Sequence, residues 1–164
     1  MSQNQKLIIK NQPVSQIDSY EDIAVISFSG DENGPFEIQG ILDFISEHQI
    51  SIDMLMRQEY IENRWSFSFS CSHDSLEIFK ENDFFTPYIA KGMEVNIMDD
   101  LFCISIIGAG MATTSGVVNR AFRALDQEGI KFYHVTTSEI STTVTIDKEN
   151  RMKAIIALST EFEL

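Results

Sequence analysis

Hydrophobic and polar positions along this chain switch between a period of two and a helical period, and the whole sequence of switches occurs twice. Ile23-Ala-Val-Ile-Ser-Phe-Ser29 is a short β-rich run that ends at Gly30, and Leu101-Phe-Cys-Ile-Ser-Ile-Ile107 is its counterpart, ending at Gly108. Behind each glycine-containing loop comes helical spacing. Ile38, Ile41, Leu42 and Ile45 fall at i, i+3, i+4, i+7, and Val118, Ala121, Phe122 and Leu125 repeat that pattern. Gly129 supplies a stop signal after the second of these helices. A second strand follows in each copy, Ile50 to Met56 and Ile130 to Thr136, and then a third. Trp65-Ser-Phe-Ser-Phe-Ser-Cys71 keeps a strict period of two with one apolar face, while Thr142 to Ile146 is Thr-rich and β-prone. A second helix closes each copy. Ser72 or Asp74 is the expected N-cap of the first, ahead of Leu76 and Phe79. Asp147 is expected to cap the other, with Met152, Ile155 and Ile156 facing inward.

The order β-α-β-β-α, met twice, predicts an α+β fold of two ferredoxin-like units, each an antiparallel sheet with helices on one face. The fourth strands are distributed unevenly. Met93 to Met98 completes copy one, but copy two stops at Leu164 directly after its helix. Upstream lies a spare β-like stretch, Val14 to Ile17, with Leu7 to Ile9 before it. The economical solution sends that segment into the sheet of copy two. It predicts two interlocked βαββαβ domains: residues 19–98 inserted, and residues 7–18 plus 99–164 forming the other.

Charge narrows the partners. Twelve Lys+Arg against 25 Asp+Glu leave a formal charge of −13, which opposes nucleic acid and anionic membrane surfaces alike. Forty-three per cent apolar residues suffice for a core. No run approaches the roughly 18 apolar residues of a membrane span, and the N-terminus lacks a signal-peptide pattern. Cys71 and Cys103 sit in apolar runs without CxxC spacing, which predicts buried free thiols and a cytoplasmic location. His48, His73 and His134 form no metal-ligand pair, so no metal is expected. Catalytic spacings are missing as well: there is no phosphate loop, and Gly108-x-Gly110 lacks the third glycine of a dinucleotide site. Trp65, Phe67 and Phe69 are expected in the core; exposed, they would suit RNA stacking, which the charge opposes.

Several short motifs then carry a resemblance. They are Gly108-Ala-Gly-Met111, Thr136-Thr-Ser-Glu-Ile140 and Phe162-Glu-Leu164 in copy two, with Ile50-Ser-Ile-Asp-Met54 and the Asp31 to Pro35 loop in copy one. By their order and spacing, from about Val14 to Leu164, the chain resembles the regulatory region of aspartate kinase, a tandem pair of ACT domains. The resemblance implies an interlocked pair of domains that binds an effector amino acid, lysine or threonine, with no other cofactor. It also implies a homodimer through the ACT sheets and a partnership with an aspartate kinase catalytic domain or subunit. A freestanding ACT-type sensor or oligomerisation module acting on another protein is the alternative, and a catalytic ferredoxin-like enzyme a distant third.

A free amino acid presents an ammonium and a carboxylate together. Holding it takes backbone N–H groups near a helix N-terminus for the carboxylate, with carbonyls or an acidic side chain for the ammonium. In copy one the candidates are Asn33, Gly34, Pro35, Phe36 and Ile38, joined by Asp53, Gln58 and Glu59. In copy two they are Met111, Ser115, Gly116, Val117, Ser138 and Glu139. Asp53 with Glu59 suits a ligand of extra positive charge such as lysine. Tyr133 stands where copy one has Asp53, which suits a neutral ligand such as threonine. Plainer readings stay open: a Gly-containing loop ahead of a helix is often only a turn and a cap, and Asp53 suits simple solvent exposure.

Overall fold

The computed structural model describes residues 12–31, 38–59 and 64–164. In chain order the elements are β1 (Gln16–Asp31), α1 (Ile38–Glu47), β2 (Leu55–Glu59), β3 (Arg64–Ser72), α2 (His73–Glu81), α3 (Thr86–Ala90), β4 (Glu94–Ile107), α4 (Val117–Gln127), β5 (Phe132–Thr137), β6 (Ser141–Asp147) and α5 (Arg151–Phe162). They form two α+β units, the first Tyr20–Cys103 and the second Ile104–Leu164 with the N-terminal segment up to Ser19. Stretches that read as separate short strands are joined: residues 16–17 and 23–29 fall along β1, and residues 94–98 and 101–107 along β4. No Gly or Pro separates them. Asp22 and Asp100 instead take φ of 57°, a left-handed conformation that Asp tolerates better than most residues.

In the first unit the strand order is β2-β3-β1-β4. β1 and β3 pair antiparallel from Ile23↔Ser72 to Asp31↔Arg64, and β2 pairs with β3 from Leu55↔Phe69 to Glu59↔Trp65. Period-two alternation sends Ala24, Ile26 and Phe28 of β1 to the same face as Trp65, Phe67, Phe69 and Cys71 of β3. There they pack with Ile41 and Ile45 of α1 and Leu76 and Phe79 of α2. The core is aromatic. Phe79 alone has the rings of Phe44, Phe84 and Phe69 at 5.0, 5.1 and 5.8 Å. Alternate positions carry serines, and Ser68 Oγ donates to Ser27 Oγ at 2.9 Å. Ser72 caps α2 as expected, accepting from the Ser75 N–H at 3.2 Å.

In the second unit the order is β5-β6-β4-β1, with the fourth position filled by the N-terminal segment. The Ser15 N–H donates to the Ile107 carbonyl at 2.8 Å, and Val14 is fully buried. The core is mainly aliphatic: Ile104, Ile106, Val117, Leu125, Val144, Ile146 and Leu158 are buried. Arg120 of α4 ties down the end of α5, donating to Glu161 Oε1 at 2.6 Å and to the Glu161 carbonyl at 2.8 Å, with its guanidinium over the Phe162 ring.

Two details of α5 differ from the periodicity reading. Asp147 does not cap it: a 3-10 turn, Lys148–Asn150, intervenes, and the Asp147 carboxylate accepts from the Tyr133 hydroxyl at 2.8 Å. Nor do Met152 and Ile156 face inward; they are 58% and 61% exposed, while Ala154, Leu158 and Phe162 are buried. The helix is apolar almost all round, so spacing alone does not choose its inner face. Docking against the rest of the unit chooses it.

Candidate functional site

Each candidate site is built where the first strand of a unit ends and its first helix begins. In the first unit that is the Asp31 end of β1. Asn33, Gly34, Pro35 and Phe36 lie outside the described residues; Ile38, half-buried at the start of α1, packs against the core. Strand pairing brings the end of β2 to the same place, because Glu59 pairs with Trp65 and Trp65 with Gly30. Gln58, one residue back, pairs with Ser66 and is exposed. Asp53 is the exception. It precedes β2, where its N–H donates to the Ser70 carbonyl at 3.4 Å, at the end of the sheet where β1 begins. Six residues of near-extended chain separate it from Glu59, roughly 20 Å. Within one unit, then, Gln58 and Glu59 share an end of the sheet with Asp31, where β1 finishes, and Asp53 does not. A strand reverses nothing along its length, and counting residues does not reveal which end faces the loop.

Trp65 completes this corner. Its indole is 4% exposed and its Nε1–H donates to the Asp31 carbonyl at 3.1 Å. A Cβ placed on Gly30 would come within 3.2 Å of the indole Cζ2. Periodicity assigns Trp65 to the core and misses its donor; the one available signal is a lone tryptophan at the start of β3.

In the second unit the loop runs from Gly108 to Gly116. Met111 is half-buried in a 3-10 turn, Ala109–Ala112, and its N–H donates to the Gly108 carbonyl at 3.0 Å. Ser115 is exposed, and Gly116 stands at the N-cap of α4 with φ of 86°, a left-handed conformation that favours glycine. With no side chain at the cap, the N–H groups of the first turn are left for solvent or a ligand, ahead of the buried Val117. The β5–β6 hairpin arrives at the same end: the Gly108 N–H donates to the Ile140 carbonyl at 2.8 Å. Ser138 Oγ is occupied within that hairpin, accepting from the Ser141 N–H at 3.1 Å, while Glu139 is exposed at the tip. Pro13 presses on the other side of the loop, where a Cβ on Gly108 would stand 2.0 Å from its carbonyl oxygen.

The remaining chemistry is quiet. Burial pushes the Cys71 and Cys103 thiols up to about 12, with the charges of Asp99 and Asp53 respectively adding to the effect. At neutral pH both stay protonated and unreactive. Among the described residues no three His, Cys, Asp or Glu side chains gather to hold a metal ion, and no helix is long and apolar enough to cross a membrane. A cleft of about 250 Å³ in the second unit, lined in part by Pro13, Arg120 and Glu161, contains none of the candidate residues.

Residues 104–162 match the ACT domain family. Among curated proteins, the chain is 32% identical over 157 residues to an aspartate kinase of Pseudomonas fluorescens, covering 93% of this chain and 37% of that one. Among solved structures, the ligand-free regulatory subunit of aspartate kinase from Thermus thermophilus superposes with a TM-score of 0.77 at 25% identity, covering 92% of this chain and 99% of that one. Over nearly its whole length this chain is similar to the regulatory region of aspartate kinase. A structure of aspartokinase alpha and beta subunits matches similarly, with a TM-score of 0.74 at 28% identity, covering 92% of this chain and 99% of that one. The chain spans a little over a third of the length of the curated aspartate kinases it matches, 37% of the Pseudomonas fluorescens protein. The ACT match coincides with the second unit; the aspartate kinase matches extend across the first.

Proposed function

We propose that this chain is an allosteric amino-acid-binding module that gives aspartate kinase feedback control by lysine, threonine or both, within aspartate-family amino-acid biosynthesis in the cytoplasm. The observation that carries the reading is the convergence, in the second unit, of the loop into α4, the uncapped start of α4 and the β5–β6 turn that holds Ser138 and Glu139. In the first unit the strand register brings the Gln58-Glu59 end of β2 to the end of the sheet where β1 finishes. Helix-start N–H groups suit an α-carboxylate, and the glutamate suits an α-ammonium. The residues assigned to the ligand are Asn33, Gly34, Pro35, Phe36, Ile38, Gln58 and Glu59 in the first unit. In the second they are Met111, Ser115, Gly116, Val117, Ser138 and Glu139.

Asp53 joins such a site only if a second copy supplies it, since its own unit holds it at the far end of the sheet. The homodimer through ACT sheets and the lysine assignment therefore stand or fall together. Exposed edge strands favour that assembly, because unpaired edge N–H and C=O groups invite pairing across a two-fold axis. The kinase catalytic domain or subunit is the partner on which the module acts.

Calorimetric titration with a panel of amino acids tests the reading, together with sedimentation and capture of an aspartate kinase catalytic subunit. Lysine or threonine should bind a dimer. Asp53→Ala should weaken lysine by about ten- to a hundredfold, the loss of one charge-assisted hydrogen bond, while circular dichroism stays unchanged. A folded wild type that gives no heat with any amino acid overturns the reading; binding without kinase capture moves it to the freestanding sensor.

A further inference from the structure

The loop of the second unit rests on the segment that precedes β1. A Cβ on Gly108 would stand 2.0 Å from the Pro13 carbonyl oxygen and 2.7 Å from Val14 Cα, and one on Gly110 would stand 2.7 Å from Pro13 Cα. Two glycines of one loop thus meet the same short stretch of backbone at distances that a side chain would forbid. Beyond them the segment is held to the sheet. Val14 is fully buried, and the Ser15 N–H donates to the Ile107 carbonyl at 2.8 Å. Within the loop, the Gly110 carbonyl accepts from the N–H groups of Thr113 and Thr114 at 3.2 and 3.0 Å, and from Thr113 Oγ1 at 3.3 Å. Those bonds close a turn between the part of the loop that touches Pro13 and the part that leads through Ser115 and Gly116 into α4. The segment also has room to give way, because Pro13 and Val14 border, with Arg120 and Phe162, the cleft of about 250 Å³.

We propose that Pro13 and Val14 are positioning residues for the effector site of the second unit, setting where the Gly108–Gly116 loop presents the N–H groups at the start of α4. The proposal rests on the reading that this unit binds an amino acid between that helix start and the β5–β6 turn. A loop already braced leaves less ordering to be done on binding, so affinity falls when the brace loosens. Coupling runs both ways: a ligand that prefers the braced loop tightens the hold of the loop on the segment by the same free energy. Pro13 suits this part, because its ring fixes φ and stiffens the backbone that faces the two glycines. At the matching Gly30 of the first unit the close neighbour is the Trp65 indole, a side chain.

The test titrates the protein with threonine and with lysine by calorimetry while amide exchange is followed at Ser15. The ligand of the second unit should slow exchange of the Ser15 N–H, which bonds to Ile107 and is none of the groups assigned to the ligand. Glu139→Gln assigns the binding to this unit and should weaken it by about tenfold. Pro13→Gly loosens the segment and should weaken the same ligand by about fivefold and reduce the protection at Ser15, with circular dichroism unchanged. Gly110→Ala pushes on the segment from the loop side and should act in the same direction; it serves as the second variant if Pro13→Gly fails to fold. Wild-type binding with unchanged Ser15 exchange, or a folded variant of the segment or of Gly110 with affinity within about twofold, overturns the positioning role and leaves the effector reading standing. Binding that Glu139→Gln leaves within about twofold overturns the second-unit site and the positioning role with it. A wild type that binds neither amino acid overturns both readings.

Discussion

The two units reach the same topology with different cores. The first packs Phe28, Phe67, Phe69, Phe79 and Phe84 around α1 and α2, and Phe79 meets three other rings within 5.8 Å. The second is built from Ile104, Ile106, Leu125, Val144, Ile146 and Leu158, with Phe162 buried as well. Matching glycines are reused in the same way: Gly30 makes room for an indole, and Gly108 for a passing backbone. What the pair teaches is that the fold specifies where a close approach occurs, while each unit is free to choose what approaches. Only one of those choices, the indole, also brings a side-chain donor, whose Nε1–H holds the Asp31 carbonyl at 3.1 Å.

The largest expected effect tests the cores against each other. Phe79→Ala removes a fully buried ring and should cost about 3–5 kcal/mol, against about 2–5 kcal/mol for Leu158→Ala in the second unit. Chemical denaturation with hydrogen exchange should show each loss confined at first to its own unit. Loss spread evenly over both units by either variant would break the comparison.

Next in size come the glycines. Gly108 has an extended φ of 179°, so alanine there meets only a steric penalty, but its Cβ would stand 2.0 Å from Pro13 O and 2.7 Å from Val14 Cα. Backbone cannot yield as a ring can. Gly108→Ala should cost about 3 kcal/mol and speed hydrogen exchange at Ser15, whereas Gly30→Ala, facing a ring at 3.2 Å, should cost about 1 kcal/mol. Equal midpoint shifts in denaturation would contradict this ranking.

The smallest effect concerns pH, and again the units differ. In the first, His73 Nδ1 lies 3.0 Å from Asp99 Oδ1, and that hydrogen bond and charge raise the His73 pKa above its ordinary 6.5. Burial alone would raise the Asp99 carboxyl, but the bond from His73 and the Asp100 N–H together bring it below its ordinary 3.8. The His73 contribution is complete below the unfolded-state value and is lost as pH rises through the raised one. The Asp99 contribution is complete above its unfolded value and is lost as pH falls through the lowered one. Stabilisation by the pair is therefore greatest between about pH 4 and pH 6.5. The second unit has the phenol of Tyr133 on Asp147 instead, whose pKa the Asp147 hydrogen bond raises further from neutrality. His73→Gln should flatten the stability profile of the first unit between about pH 5 and pH 8 and leave the second unchanged, as followed by residue-resolved exchange. A profile as steep in His73→Gln as in wild type would remove this contrast.

Periodicity and turn chemistry, which act over a few residues, are written in the chain. They carried the doubled β-α-β-β-α order, the helices at Ile38 and Val117, the Ser72 cap, and the need for an N-terminal strand beside β4. For the proposed site the chain offers residue types only, Gly116, Ser138, Glu139 and Glu59, and no geometry. Other features depend on what lies across the sheet or beneath the helix, and only the tertiary structure decided them. It merged four short strand patterns into β1 and β4. It turned Ala154 and Leu158 inward in a helix whose apolar residues point every way, and gave the Asp147 carboxylate to Tyr133. It carried Asp53 to the end of the sheet away from Glu59, and set the Trp65 indole N–H on the carbonyl where β1 ends. Register is a relation between segments distant in sequence, and a period of two says which face a residue occupies without saying which end of the sheet it will reach.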